Sequence, residues 1–141
     1  MKILIAVDGS AHTQKALDYL AKHRSMFLDG NQLVVVHVCV GVPGHVTRHL
    51  SKEIVQDYYA EETSKVIEPV KAALAKAGIT GYTVDQRHGH AAEEILKAAN
   101  ANGVELIVMG THGHGLFGRA LMGSVATKVV AETDISVLLV Q

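Results

Sequence analysis

The stretch Leu106-Ile107-Val108-Met109-Gly110-Thr111-His112-Gly113-His114-Gly115-Leu116-Phe117-Gly118-Arg119-Ala120-Leu121-Met122-Gly123-Ser124 joins three signals in one short segment. An unbroken apolar run comes first, and apolarity without alternation suits a strand covered on both faces, as in a parallel sheet. Five glycines follow within positions 110–123. Their backbone can approach a ligand closely and adopt positive φ, so that successive N–H groups turn toward it. Ser124 then opens a helix over 124–132, whose N-terminus offers unpaired N–H groups and a partial positive charge. Ser124 adds a hydroxyl and Arg119 a forked cation suited to phosphate oxygens. The segment reads as an anion site at the carboxyl end of a strand, where open α/β sheets bind their ligands.

The rest of the chain repeats the same alternation. Residues 3–7 form a continuous apolar run that ends in Asp8-Gly9-Ser10, and Ser10 is an N-cap for a helix carrying Ala16, Leu17, Leu20 and Ala21 on one face. Asp29-Gly30-Asn31 is a turn, and 33–38 is a β-branched second strand. Residues 41–49 read as a loop. A long helix is expected over 50–77, with Glu61 and Lys65 at the favourable i,i+4 spacing and with Pro69 kinking or splitting it. Gly78 is its C′ stop. Residues 82–86 form a weaker third strand, 91–101 an alanine-rich helix closed by Asn102-Gly103, and 135–140 a fifth strand. The order β-α-β-α-β-α-β-α-β predicts a three-layer α/β/α sandwich with a mainly parallel five-stranded sheet, in one domain spanning 1–141.

Composition narrows the function. The 141 residues carry 13 Lys and Arg against 14 Asp and Glu, a net charge of −1. That leaves no basic excess for nucleic acid or an anionic membrane surface. The apolar run before Asp8 is only five residues long, too short for a secretory signal, and no run is long enough to span a bilayer. The lone Cys39 excludes an internal disulfide. A cytoplasmic location is expected.

Two phosphate motifs can be tested against the glycine segment. The P-loop requires Gly-Lys-Ser/Thr, and the chain has no Gly-Lys pair. Gly113-x-Gly115-x-x-Gly118 matches the dinucleotide fingerprint literally, but that fingerprint belongs to the first strand-to-helix turn of a binding half, and here one helix and one strand remain. The spacing Gly110-x2-Gly113-x9-Gly123-Ser124, with Ile3-Leu4-Ile5-Ala6-Val7-Asp8-Gly9-Ser10 before it, resembles instead the nucleotide-binding signature of the universal stress protein family. The resemblance covers essentially the whole chain and implies strand order 3-2-1-4-5, which sets strands one and four side by side.

Carried over residue by residue, the resemblance implies an ATP site. Val7 and Asp8 would lie at the end of strand one, Asp8 near ribose and phosphates. Val38 would hold adenine by its backbone. Gly110, His112 and Gly113 would line the ribose and phosphate path, and Gly123, Ser124 and Val125 would bind phosphates, joined by Arg119 on its own chemistry. Magnesium or manganese would be held mainly by the phosphates, with no metal site of the protein's own. The resemblance further implies a stress-response switch and a homodimer through the C-terminal strand, although Ser136 stands where members commonly carry proline. No catalytic constellation is visible. A slow ATPase at the same site and a nucleotide-free dimerisation module are the alternative functions.

Other residues have plainer readings. His88 and His90, and His112 and His114, are spaced two apart, short of the three or four converging ligands of a zinc site. His37 reads as a satisfied core histidine, and Cys39 as a small buried hydrophobe. The stripe of Tyr58, Tyr59, Val66 and Val70 reads as core.

Overall fold

The first strand, β1 (Lys2–Val7), is covered on both faces: Ile3, Leu4 and Ile5 are all fully buried, as its unbroken apolar run requires. The computed structural model describes residues 1–112 and 122–141. After β1 come α1 (Ala11–Lys22), a single turn α2 (Arg24–Phe27), β2 (Gln32–Val40), a second short turn α3 (Gly44–Thr47) and the long α4 (Lys52–Lys76). Then follow β3 (Tyr82–Gly89), α5 (Ala91–Asn102), β4 (Leu106–Gly110), α6 (Ser124–Glu132) and β5 (Ser136–Val140). The strands form one sheet of order β3-β2-β1-β4-β5, and every neighbouring pair is parallel.

Alternation along the central strands sends side chains to two cores. On one face Ile3, Ile5, Val35 and Val108 pack with Ala16, Leu17 and Leu20 of α1 and with Ile67, Val70 and Leu74 of α4. On the other, Leu4, Val34, Val36 and Ile107 pack with Ile95, Ala98 and Ala99 of α5 and with Ala126 and Val129 of α6. Each fully buried Leu, Ile or Val contributes about 1.5–3 kcal/mol relative to exposure.

Several local expectations change. Residues 41–49 are not all loop, since α3 lies among them. Pro69 does not split the helix: α4 runs unbroken for 25 residues, with Pro69 on its exposed side, where water can serve the carbonyl that the missing N–H leaves unpaired. Lys65 pairs with Glu62 at 2.9 Å, an i,i+3 partner, rather than with Glu61. The third strand runs three residues beyond Gln86 because all eight of its residues pair with β2, from Leu33–Tyr82 to Val40–Gly89. Caps behave as their chemistry dictates. Ser10 and Ser51 accept from Thr13 and Ile54 N–H groups, and Gly78 takes φ +73 immediately beyond the end of α4.

One polar cluster ties the edge strand to its helix. Arg87 of β3 donates to both carboxylate oxygens of Asp85 at 3.0 and 3.2 Å and lies 3.7 Å from Glu94 of α5. Asn102 donates to Asp85 at 2.9 Å. None of the described helices is long and apolar enough to cross a membrane.

Candidate functional site

The connection after β1 leads to β2 on one side, while the connection after β4 leads to β5 on the other. Chain leaving β1 and chain leaving β4 therefore diverge, and a crevice opens between them at the carboxyl edge. A cavity of about 450 Å³ occupies this place, within the size range of small-molecule sites. It is walled by the ends of β1, β2 and β4, by the first turn of α6, and by residues of α4 and α5.

Asp8 is fixed at the floor of the crevice. Its Oδ1 accepts from the Ser10 N–H at 2.9 Å and from the Thr13 hydroxyl at 2.8 Å, while its own N–H donates to Thr13 Oγ1 at 2.9 Å. The turn-capping and cavity-lining roles are therefore filled by one residue. Thr13 is buried on the inner side of α1, three residues beyond the N-cap, and holds the carboxylate in place.

The β4 end comes close to α1. A Cβ on Gly110 would stand 2.6 Å from the Cβ of His12 and 3.2 Å from its carbonyl oxygen, so glycine is required there for close approach. Thr111 donates its N–H to the Val140 carbonyl, and its own carbonyl accepts from Gly123 N–H at 2.6 Å, which brings the start of α6 back to the end of β4. His112 Nδ1 lies 2.9 Å from Thr111 Oγ1, and its ring stands 5.1 Å from that of His12. The N-cap of α6 is Gly123, which has no side chain to cap it, and Ser124, Val125 and Ala126 of its first turn line the cavity. That turn faces the crevice with backbone N–H groups and the positive end of the helix dipole.

The β2 side is mixed in character. Val36, Val38, Ala91 and Ile95 give an apolar wall toward α5, whereas His37, Cys39, Tyr58, Glu62 and Val66 line the α4 side. The β1–β2 ladder ends at Val7–His37 while β2 continues to Val40, so Val38 lies beyond the end of β1, paired with β3, and lines the cavity. Burial lowers the pKa of His37 against a weaker opposing pull from Asp8. Burial raises the Cys39 thiol, helped by the Glu62 charge.

Eight residues named from the sequence line this one cavity: Val7, Asp8, Val38, Gly110, His112, Gly123, Ser124 and Val125. Gly113 and Arg119 lie outside the described residues. Two readings need correction. His37 is 5% exposed, but its Nδ1 has no hydrogen-bond partner, so it is buried without being satisfied. Tyr58 is 44% exposed and lines the cavity, and Tyr59 is half-buried, stacking on His88 and accepting from the Val42 N–H, so neither belongs to the core. The cause is length. At 1.5 Å per residue α4 outruns the strands it covers, so its first turns overhang their carboxyl ends and only Thr63 onward is buried. Thr13, Tyr58 and Glu62 are lining residues that the sequence reading did not assign. The spacing Tyr58, Glu62, Val66, four apart on one helical stripe, was the signal available. Among the described residues no group of three or more His, Cys, Asp or Glu is arranged to hold a metal ion.

Fold and crevice together define a class of parallel α/β proteins with a cavity at the switch point of the sheet. The family model described as "Universal stress protein family" matches residues 1–141. A universal stress protein from Thermus aquaticus is 36% identical over 140 residues, covering 99% of this chain and 97% of its own. One from Bacillus subtilis is 33% identical over 147 residues, covering 99% and 98%. Among solved structures, that of MJ0577, a universal stress protein of Methanocaldococcus jannaschii, superposes with TM-score 0.76 at 25% identity, covering 99% and 94%. Others of the same fold are described as bound to AMP (Arabidopsis thaliana, 17% identical, TM-score 0.66, covering 99% and 90%) and to dAMP (Archaeoglobus fulgidus, 20%, 0.64, covering 100% and 98%). The chain belongs to the universal stress protein family.

Proposed function

We propose that the cavity binds an adenine nucleotide, ATP foremost, and that the protein acts as a nucleotide-dependent switch in a stress response. The observation that carries this reading is the convergence, on one cavity of about 450 Å³, of an apolar slot, a fixed carboxylate and an uncapped helix N-terminus. Those three features suit a base, a ribose and a phosphate in that order along a single ligand. The AMP and dAMP described in structures of the same fold support the choice of adenine.

In this reading the N–H groups of Ser124 and Val125 and the Ser124 hydroxyl receive phosphate oxygens, with Gly110, Gly123 and His112 alongside. Gly113 and Arg119 join them on sequence grounds. Asp8, held by Thr13 and Ser10, accepts from ribose hydroxyls or faces a magnesium or manganese ion carried by the phosphates. The Val38 main chain meets the base edge, flanked by Val36, Ala91 and Ile95. Bound nucleotide alters a surface for a second copy of this chain pairing along the edge strand β5.

The test is chromatography of whatever denaturation releases from freshly purified protein. With four tyrosines and no tryptophan the chain absorbs weakly, so a retained nucleotide would dominate its ultraviolet spectrum. Released ATP is the expected result. Released ADP or AMP, with product formed in a single turnover, would favour a slow ATPase.

A further inference from the structure

Among the described strand residues, His37 alone has a buried side-chain nitrogen that the fold leaves without a partner. Its side chain is 5% exposed, it lines the cavity, and no described group hydrogen-bonds its Nδ1. In the sheet it stands between Val7 of β1 and Gln86 of β3, and Cys39 follows it on the same face. Asp8 acts on it through its charge without supplying that bond. Buried ring nitrogens are ordinarily paired, and an orphan in a binding cavity marks a bond that something else completes. Position says which part of a ligand that is. Strands lie about 4.8 Å apart, so β2 stands roughly 10 Å across β1 from β4 and its neighbouring helix N-terminus. A ligand with phosphates at α6 therefore brings its nucleoside half, not its phosphates, to His37.

We propose that His37 is a ligand-contacting residue whose Nδ1 hydrogen-bonds a polar atom on the nucleoside half of the bound nucleotide. This rests on the nucleotide reading above and assigns a polar side chain of the sheet itself to the β2 end of the site, on the side where Cys39, Tyr58 and Glu62 also line the cavity. A leucine at this position would keep the bulk and lose the bond. Asparagine would put an amide where Nδ1 stands, and glutamine would put it where Nε2 stands.

The experiment titrates the full chain and the variants His37→Leu, His37→Asn and His37→Gln with three probes: ATP, adenosine and tripolyphosphate, each with magnesium. His37→Leu should weaken ATP and adenosine alike by about tenfold and leave tripolyphosphate unchanged. His37→Asn should stay within about threefold of the wild type, and His37→Gln should bind as weakly as the leucine variant. The unliganded leucine variant should melt no lower than the wild type, because an unpaired buried nitrogen has been removed. Wild-type ATP affinity in His37→Leu would overturn this proposal and leave the nucleotide site standing, as would equal binding by the Asn and Gln variants. An equal loss on tripolyphosphate would also overturn it, by placing His37 at the phosphates or showing that the cavity collapsed. Failure of the wild type to bind any of the three would overturn the nucleotide reading and this proposal together.

Discussion

Burying a histidine among apolar side chains favours its neutral form, and His37 shows the direction this imposes on stability. Its folded-state pKa lies below the ordinary value of 6.5, so as pH falls the unfolded chain takes up the proton first. The His37 contribution is complete above about pH 6.5, is lost as pH falls toward the folded-state value, and changes no further below it. Asp8 opposes the shift and narrows the window. Thermal melts between pH 8 and 5 should show the wild type losing more stability than His37→Leu, by at most about 1.4 kcal/mol per pH unit. Parallel curves would show that His37 titrates alike in both states. At this scale the sequence was informative where chemistry sits on a contiguous motif. Val7, Asp8, Gly110 and His112 lie at or just past strand ends and Gly123, Ser124 and Val125 open α6, so the residues and the family resemblance together pointed to them. His37 was not, because a histidine inside a β-branched run looks like core. Only the missing partner for Nδ1, a matter of three-dimensional surroundings, distinguishes it.

Elements were legible in order and imprecise in extent. The periodicity of α4 was clear, but Pro69 was expected to kink or split a helix that runs unbroken, and the overhang of its first turns depended on the lengths of strands that had yet to be placed. β3 was read as ending at Gln86, three residues short, and the residues that continue it, Arg87 and His88, are polar. As an edge strand it has only one partner strand, and Arg87 is used to anchor α5. That anchoring is testable. Arg87→Ala would leave the Asp85 and Glu94 carboxylates, only 24% and 17% exposed, without their shared cation. Their partial exposure moderates the loss, and a destabilisation of about 1–2 kcal/mol is expected in urea melts. A change below about 0.3 kcal/mol would mean that water and Asn102 replace the guanidinium fully.

For the whole molecule, strand order decides where a ligand can sit. The alternation of elements indicated a parallel α/β sheet, and the family resemblance supplied the order 3-2-1-4-5. The depth of the crevice and the α4 wall of Tyr58, Glu62 and Val66 came from packing across the chain, which local pattern does not encode. The central claim is that this crevice is an adenine nucleotide site. Its most direct test is a calorimetric titration of the nucleotide-stripped full chain with ATP and magnesium, paired with a melt at saturation. The account predicts saturable binding at one site per chain, with about 2.7 kcal/mol of added stability when free ATP stands a hundredfold above its dissociation constant. A cooperatively melting protein that gives no saturable heat and no shift in its melting temperature with millimolar ATP would contradict it.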